Sequence, residues 1–271
     1  MDAVTPNRLR WGALAWLLTL QFFVLETIAQ VRFRGAYSRV DDVISTLGAS
    51  ESAARQLMNA SFVVQAALIL GGVLLLRPVL LRGAARVAPV LLGLAALGVL
   101  LVGVFPSDGN STMHSIGAVL HFVGGGLGLI ALAYAVRPRS EALGTTLALL
   151  GLISTAATLF FLTGVTGYLG EGGTERAAAY PVPLGLALAG AALWRLVRAT
   201  GEAESPAGPS RREQREQARA DRAERASARD EALAARIGGA RPAQSTREPA
   251  ADGLHESEPE DPWAGPGRRR D

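Results

Sequence analysis

The chain has no cysteine and no lysine. The first absence removes disulfides and thiolate metal sites, and leaves the redox compartment unmarked. The second makes arginine the carrier of all 27 basic charges. Beside so much alanine, leucine and glycine, that reads as the coding bias of a GC-rich bacterium rather than a demand for guanidinium groups. Histidine is scarce, at three in 271 residues, and two of them lie in apolar sequence. Charged residues make up 19% and aromatics 6%, and the net charge of +3 is too small to argue for nucleic acid.

What is abundant is apolar sequence, 49% of the chain, and it is unevenly spread. It falls into runs of roughly 18 residues or more, long enough to cross about 30 Å of hydrocarbon as helix. Six spans are expected, near 11–29, 56–76, 87–105, 114–136, 144–166 and 177–197. The fold class is therefore all-α: a polytopic membrane protein built as a six-helix transmembrane bundle. A basic start before the first run also suits a signal peptide, with Thr27-Ile28-Ala29 as a poor cleavage site. The run's length, with Gln21 and Glu26 inside it, favours an uncleaved helix with Trp11 and Trp16 at the interface.

Short turns join the spans. Arg77 to Arg86 and Arg137 to Leu143 are basic, while Pro106 to Met113 has turn composition. Gly170 to Arg176 reads as a glycine-rich turn. Between the first two spans, Val40, Val43, Ile44 and Leu47 recur at helical spacing, which predicts an amphipathic helix on the membrane surface. Six spans bring both termini to one side. Arg8, Arg10, Arg77, Arg82, Arg86, Arg137 and Arg139 predict that this side is the cytoplasm of a cell-membrane protein. Arg32, Arg34, Arg39 and Arg55 in the first outer loop run against that count.

Residues 199–271 change character. Apolar residues beyond alanine nearly vanish, so the segment is expected to be a disordered cytoplasmic tail. Within it, 210–236 mixes arginine, acid and alanine without glycine or proline, which suits a solvated, salt-bridged helix.

Charged and titratable residues at membrane depth are costly, and each is a functional hypothesis. Here Glu26, Asp41, Asp42, Asn59, Asp108, His114, His121, Glu175 and Arg176 all fall toward the outer half of the bilayer. They form a candidate binding cluster. Glu26 needs a partner, for which Arg55, Arg32 or His121 are available. His114 and His121 are seven apart and share one helix face, about 10.5 Å apart along the axis. That separation argues against a shared metal ion or a bis-histidine haem, and no cofactor is expected. Read blandly, His121 hydrogen-bonds across helices, His114 caps its helix, and Asp108 is a turn residue bonding nearby amides. A zinc site built from Asp108, His114 or His121 with other carboxylates is the sharper alternative.

These residues carry a resemblance. Tyr37-Ser38-Arg39-Val40-Asp41-Asp42-Val43-Ile44-Ser45-Thr46-Leu47-Gly48, Met58-Asn59, and Gly103-Val104-Phe105-Pro106-Ser107-Asp108 with His114 and His121 resemble the bacterial membrane-protein family called domain of unknown function 998. Gly172 to Arg176 also looks similar, and the likeness covers about residues 10–198. It implies six helices, a membrane location and no assigned activity. The family looks distantly similar to Frag1 and DRAM membrane proteins, which suggests a lipid-related role. Arg39 stands where the family's usual run has histidine, so this loop is not expected to supply a metal-binding histidine.

The leading expectation is a non-enzymatic integral membrane protein. Its outer polar cluster would bind a lipid head group, a small solute or a partner membrane protein. One alternative is a zinc-dependent hydrolase of a lipid amide or ester. The other is a proton-coupled transporter using Glu26 and His121.

Overall fold

The computed structural model describes residues 5–81, 83–200 and 211–238. The chain divides into two units, 1–206 and 207–271.

The first unit is all-helical but for one isolated bridge, Phe33 with Ser52. Its helices are α1 (Pro6–Leu18), α2 (Gln21–Val31), α3 (Arg55–Leu76), α4 (Ala84–Val104), α5 (Ser111–Val136), α6 (Glu141–Leu162), α7 (Gly170–Ala179) and α8 (Pro181–Ala199). Taken with their continuations, they make six segments long and apolar enough to cross a membrane. The first joins α1 to α2 and the last joins α7 to α8. The protein is a multi-pass integral membrane protein.

Consecutive segments pack side by side, α3 on α4, α4 on α5 and α5 on α6, and α8 returns to α1 to close the ring. Lipid tails are as apolar as leucine, so close packing must supply what the hydrophobic effect does not. The tightest contact is between α4 and α5. A Cβ on Gly98 would strike the backbone of Gly117 and His121, and one on Gly117 would lie 2.7 Å from Gly98 O. No rotamer change relieves a backbone clash, so these two positions require glycine.

Two segments are interrupted. Between α1 and α2 the backbone breaks at Thr19–Leu20, and the Thr19 hydroxyl lies 2.6 Å from Trp16 O and 3.1 Å from Pro183 O. At the α7–α8 junction, Pro181 and Pro183 remove two backbone donors, and Ser154 donates to Ala178 O at 2.6 Å. Trp16, expected at the interface, is instead fully buried. Its indole donates to Ile69 O at 3.3 Å and lies against Gly72. Trp11 is the exposed one.

The arginine-rich end is built on helix termini. Arg8 donates to Leu75 O (3.1 Å) and Leu74 O (2.8 Å), and Arg139 to Val79 O (3.0 Å). Cations suit such carboxyl ends.

In the second unit, α9 (Arg211–Gly238) is helical. The disorder expected over 199–271 concerns mainly 201–210 and 239–271, which lie outside the described residues.

Candidate functional site: a pinned loop over a buried cavity

The loop 32–54 is not a surface helix. Only Ile44–Gly48 makes a short 3-10 turn. Ile44 and Leu47 are buried in the bundle, while Val40 is exposed. The reason lies in its carbonyls. Arg39 O and Asp42 O accept from Arg176 (2.8 and 2.9 Å), and Val40 O accepts from Gly173 N (3.0 Å). Tertiary donors thus take the acceptors that a helix would have used internally.

This arrangement depends on Gly170–Arg176 being the opening turns of α7 rather than a loop. Gly170, at φ +70°, and Gly172 lie against Val40 O and Asp42 O, where any Cβ would clash. The glycines let the loop backbone lie on the helix, within reach of Arg176.

Arg176 uses every arm of its guanidinium. Nε donates to Glu26 at 3.1 Å, Nη1 donates to the carbonyls of Arg39, Asp42 and Gly172, and Nη2 donates to the Tyr37 hydroxyl at 2.5 Å. Glu26, 1% exposed, also accepts from the Tyr180 hydroxyl at 2.7 Å and from Gln30 at 3.0 Å. Arg39 reaches Tyr180 at 2.5 Å. The Tyr37 hydroxyl donates onward toward Val43 O at 3.1 Å. Burial pushes the Tyr37 phenol above its ordinary pKa, and the Arg176 charge offsets this only in part.

Farther along, Glu175 accepts a short hydrogen bond from Ile44 N, Asn59 donates to Gly48 O (2.9 Å), and Asp108 accepts from Ser50 N (2.8 Å). The Ser50 amide holds the Asp108 carboxyl below its ordinary pKa. Four of the nine expected residues, Arg176, Glu175, Asn59 and Asp108, therefore bond to this loop from outside it, and Glu26 holds Arg176. Asp42, within it, accepts from Ser38 N at 2.7 Å.

The structure revises several single expectations. Glu26 pairs with Arg176, not with Arg32, Arg55 or His121. Asp108 reaches 58 residues away rather than capping its own turn. Asn110 caps α5, while His114 contacts Phe105 O at 2.8 Å. Asp41 is exposed, bonds only Ser38, and does not join the cluster.

Beneath Ile44 and Ser45 lies a cavity of about 40 Å³. Phe22, Phe62, Phe122, Val99 and Val102 form its apolar wall, and Gln65, His114, His121 and Glu175 its polar groups. His121 and Glu175 are 8% and 7% exposed. His121 Nδ1 faces Ala95 O at 3.0 Å, held there by the close α4–α5 approach. His121 Nε2 and the second oxygen of Glu175 make no hydrogen bond. No sealed side-chain polar atom among the described residues lacks a partner, so these two atoms face open space. No arginine lines the cavity. Among the described residues, no three His, Cys, Asp or Glu side chains are grouped to hold a metal ion.

A family model, "Protein of unknown function (DUF998)", matches residues 17–195. The chain belongs to the DUF998 family. No curated protein and no solved structure matches it. The match to DUF998 covers the loop, the cavity, four membrane segments in full and most of the first and last, and it excludes α9.

Tyr37 and Ser45 carried the resemblance but were not counted in the cluster, and Tyr180 and Gln65 were not counted either. Tyr180 was within reach: it lies four residues after Arg176, on the same helix face. Gln65 joins Gln21 at 3.2 Å in a polar pair between α2 and α3, which spacing along one chain does not announce.

Proposed function

We propose that this DUF998 protein is a binding protein of the cell membrane, with both termini in the cytoplasm and the pinned loop on the outer face. Its cavity receives the hydroxyl or amine end of a neutral or cationic ligand, either a lipid or a small solute. One observation carries the reading: His121 and Glu175, both more than nine-tenths buried, line one cavity, and each keeps a polar side-chain atom that makes no hydrogen bond. Buried polar groups are ordinarily satisfied; with Nδ1 donating to Ala95 O, Nε2 and the Glu175 oxygen both accept, so an ammonium donates to both and a hydroxyl to one of them. Anionic heads fit poorly, because Arg176 is committed to Glu26, Tyr37 and the loop carbonyls. The cavity is far below the ~300–1,000 Å³ of a typical ligand site. It therefore takes a ligand's polar end rather than a whole molecule. The clustering of Arg8, Arg77, Arg86, Arg137 and Arg139 at the other end supports the orientation.

The test is native mass spectrometry of the detergent-solubilised protein with a long-chain alcohol, amine and carboxylic acid of equal length. Short-chain analogues of each separate a lipid from a solute. Retention of alcohol and amine, lost in His121→Leu, supports the reading. Equal retention of the acid, or adducts indifferent to His121→Leu, would contradict it.

A further inference from the structure

The helix α9 lies beyond the family match and belongs to neither the cavity nor the loop. Its side chains from Arg215 to Ala235 are all exposed. Its charges are not mixed around the helix. At about 100° per residue, Arg215, Arg219, Arg222, Arg225 and Arg229 fall within an arc of about 120°. Glu216, Asp221, Glu224, Asp230 and Glu231 take the rest of the circle. Leu233 is 58% exposed and lies in the middle of the arginine arc. Ala218 and Ala226 fill in around it, short enough to let the guanidinium groups approach a flat surface.

We propose that the arginine face of α9 lies on an anionic lipid leaflet, with Leu233 at the contact and the acidic face toward water. Three observations support this partner. The segregation matches what a charged plane requires, since a leaflet attracts one face of a helix and repels the other. Glu216, Asp221 and Asp230 flank the arc, while Glu224 and Glu231 lie opposite it, a helix diameter of about 10–12 Å from the leaflet. That exceeds the screening length of about 8 Å at physiological salt, so these two oppose the contact only weakly. Last, the helix is tethered. The last span ends at Ala199 and α9 begins at Arg211, and the residues between reach at most about 40 Å when extended. A tether of that length raises the local concentration of the five arginines at the leaflet, so that they act together.

The absence of cysteine allows a clean test on the full-length protein in nanodiscs. A polarity-sensitive fluorophore is attached at Ala226→Cys, on the arginine face, or at Ala220→Cys, on the acidic face. Discs contain phosphatidylcholine alone or with phosphatidylglycerol. The Ala226 label is expected to report an apolar environment only with phosphatidylglycerol, reversibly in high salt, while the Ala220 label does not respond. Each Arg→Gln change on the face weakens the docked state about fivefold, and glutamine keeps the helix propensity. Equal signals in both lipids, or at both positions, would overturn the proposal. A shift that follows the number of protein copies per disc would overturn it in favour of helix–helix pairing.

Discussion

Replacing Arg176 with methionine is the sharpest perturbation of the loop. The change leaves Glu26 as a carboxylate 1% exposed to solvent, without its cation at 3.1 Å. It also strips a donor from the carbonyls of Arg39 and Asp42. Breaking a buried pair by removing one partner costs about 3–5 kcal/mol. Tyr180 and Gln30 still donate to Glu26, so the lower part of that range is expected. Glu26→Gln alone should cost less, because Arg176 keeps its carbonyls and Tyr37. In the double variant the two losses should fall short of their sum, as expected for residues in one network. Arg176→Lys keeps the charge but not the fork, and should lie between. Thermal unfolding in detergent reads the stability, and limited trypsin digestion reads the loop. With no lysine in the chain, the loop offers trypsin only arginines, Arg32, Arg34 and Arg39 before α3. Arg176→Met should speed cleavage there. Strict additivity of the two variants, or unchanged cleavage, would refute the argument.

Further outcomes follow from the same geometry. The Asp108 carboxyl lies below its ordinary pKa because it accepts from Ser50 N. A lowered acid pKa gives stability that is present above the unfolded-state value and is lost as pH falls through the folded value. The stability gap between wild type and Asp108→Asn should therefore close only in the acid range, below the usual carboxylate pKa, when thermal unfolding is followed against pH. Gly98→Ala should destabilise by about 1–3 kcal/mol or more, because its Cβ meets backbone on α5. Gly93→Ala on the same helix meets nothing within 4 Å and should be neutral or stabilising by up to ~1 kcal/mol; thermal unfolding compares the two. Asn59→Ala removes the donor to Gly48 O. It should cost about 1 kcal/mol and speed hydrogen exchange around Leu47–Ala49.

The bundle could be read from the chain because apolar run length maps onto helix length through one constraint, the bilayer. Glu26, His121, Glu175 and Arg176 stood out singly for the same reason, as polar residues beside or within lipid-spanning sequence, whereas that Asp41 would stay out of the cluster's contacts did not show. The purpose of the cluster was not legible. Val40, Val43, Ile44 and Leu47 do recur at helical spacing, yet Arg176 and Gly173, more than 130 residues away, take the carbonyls that a helix would need. Composition likewise marked Gly170–Arg176 as a turn. Its glycines serve instead as a flat helix surface for the loop, a distinction that exists only once both elements are placed. Glu26 was correctly seen to need a cation. Arg32, Arg55 and His121 were the partners that topology offered, and only packing selects Arg176. The close α4–α5 approach that aims His121 at Ala95 O was signalled by glycines, which say that helices touch but not which ring nitrogen is left for the cavity.

Arg176, Glu175, Asn59 and Asp108 bond together to loop 32–54, which lies over the cavity lined by His121 and Glu175. Hydrogen–deuterium exchange of the full-length protein in nanodiscs tests this arrangement most directly, comparing wild type with Arg176→Met. Slow exchange is expected across residues 36–50 in wild type. In the variant these residues should exchange faster, while α4 and α5 stay protected. Fast exchange of the loop in wild type, or a loop equally protected in both proteins, would contradict it.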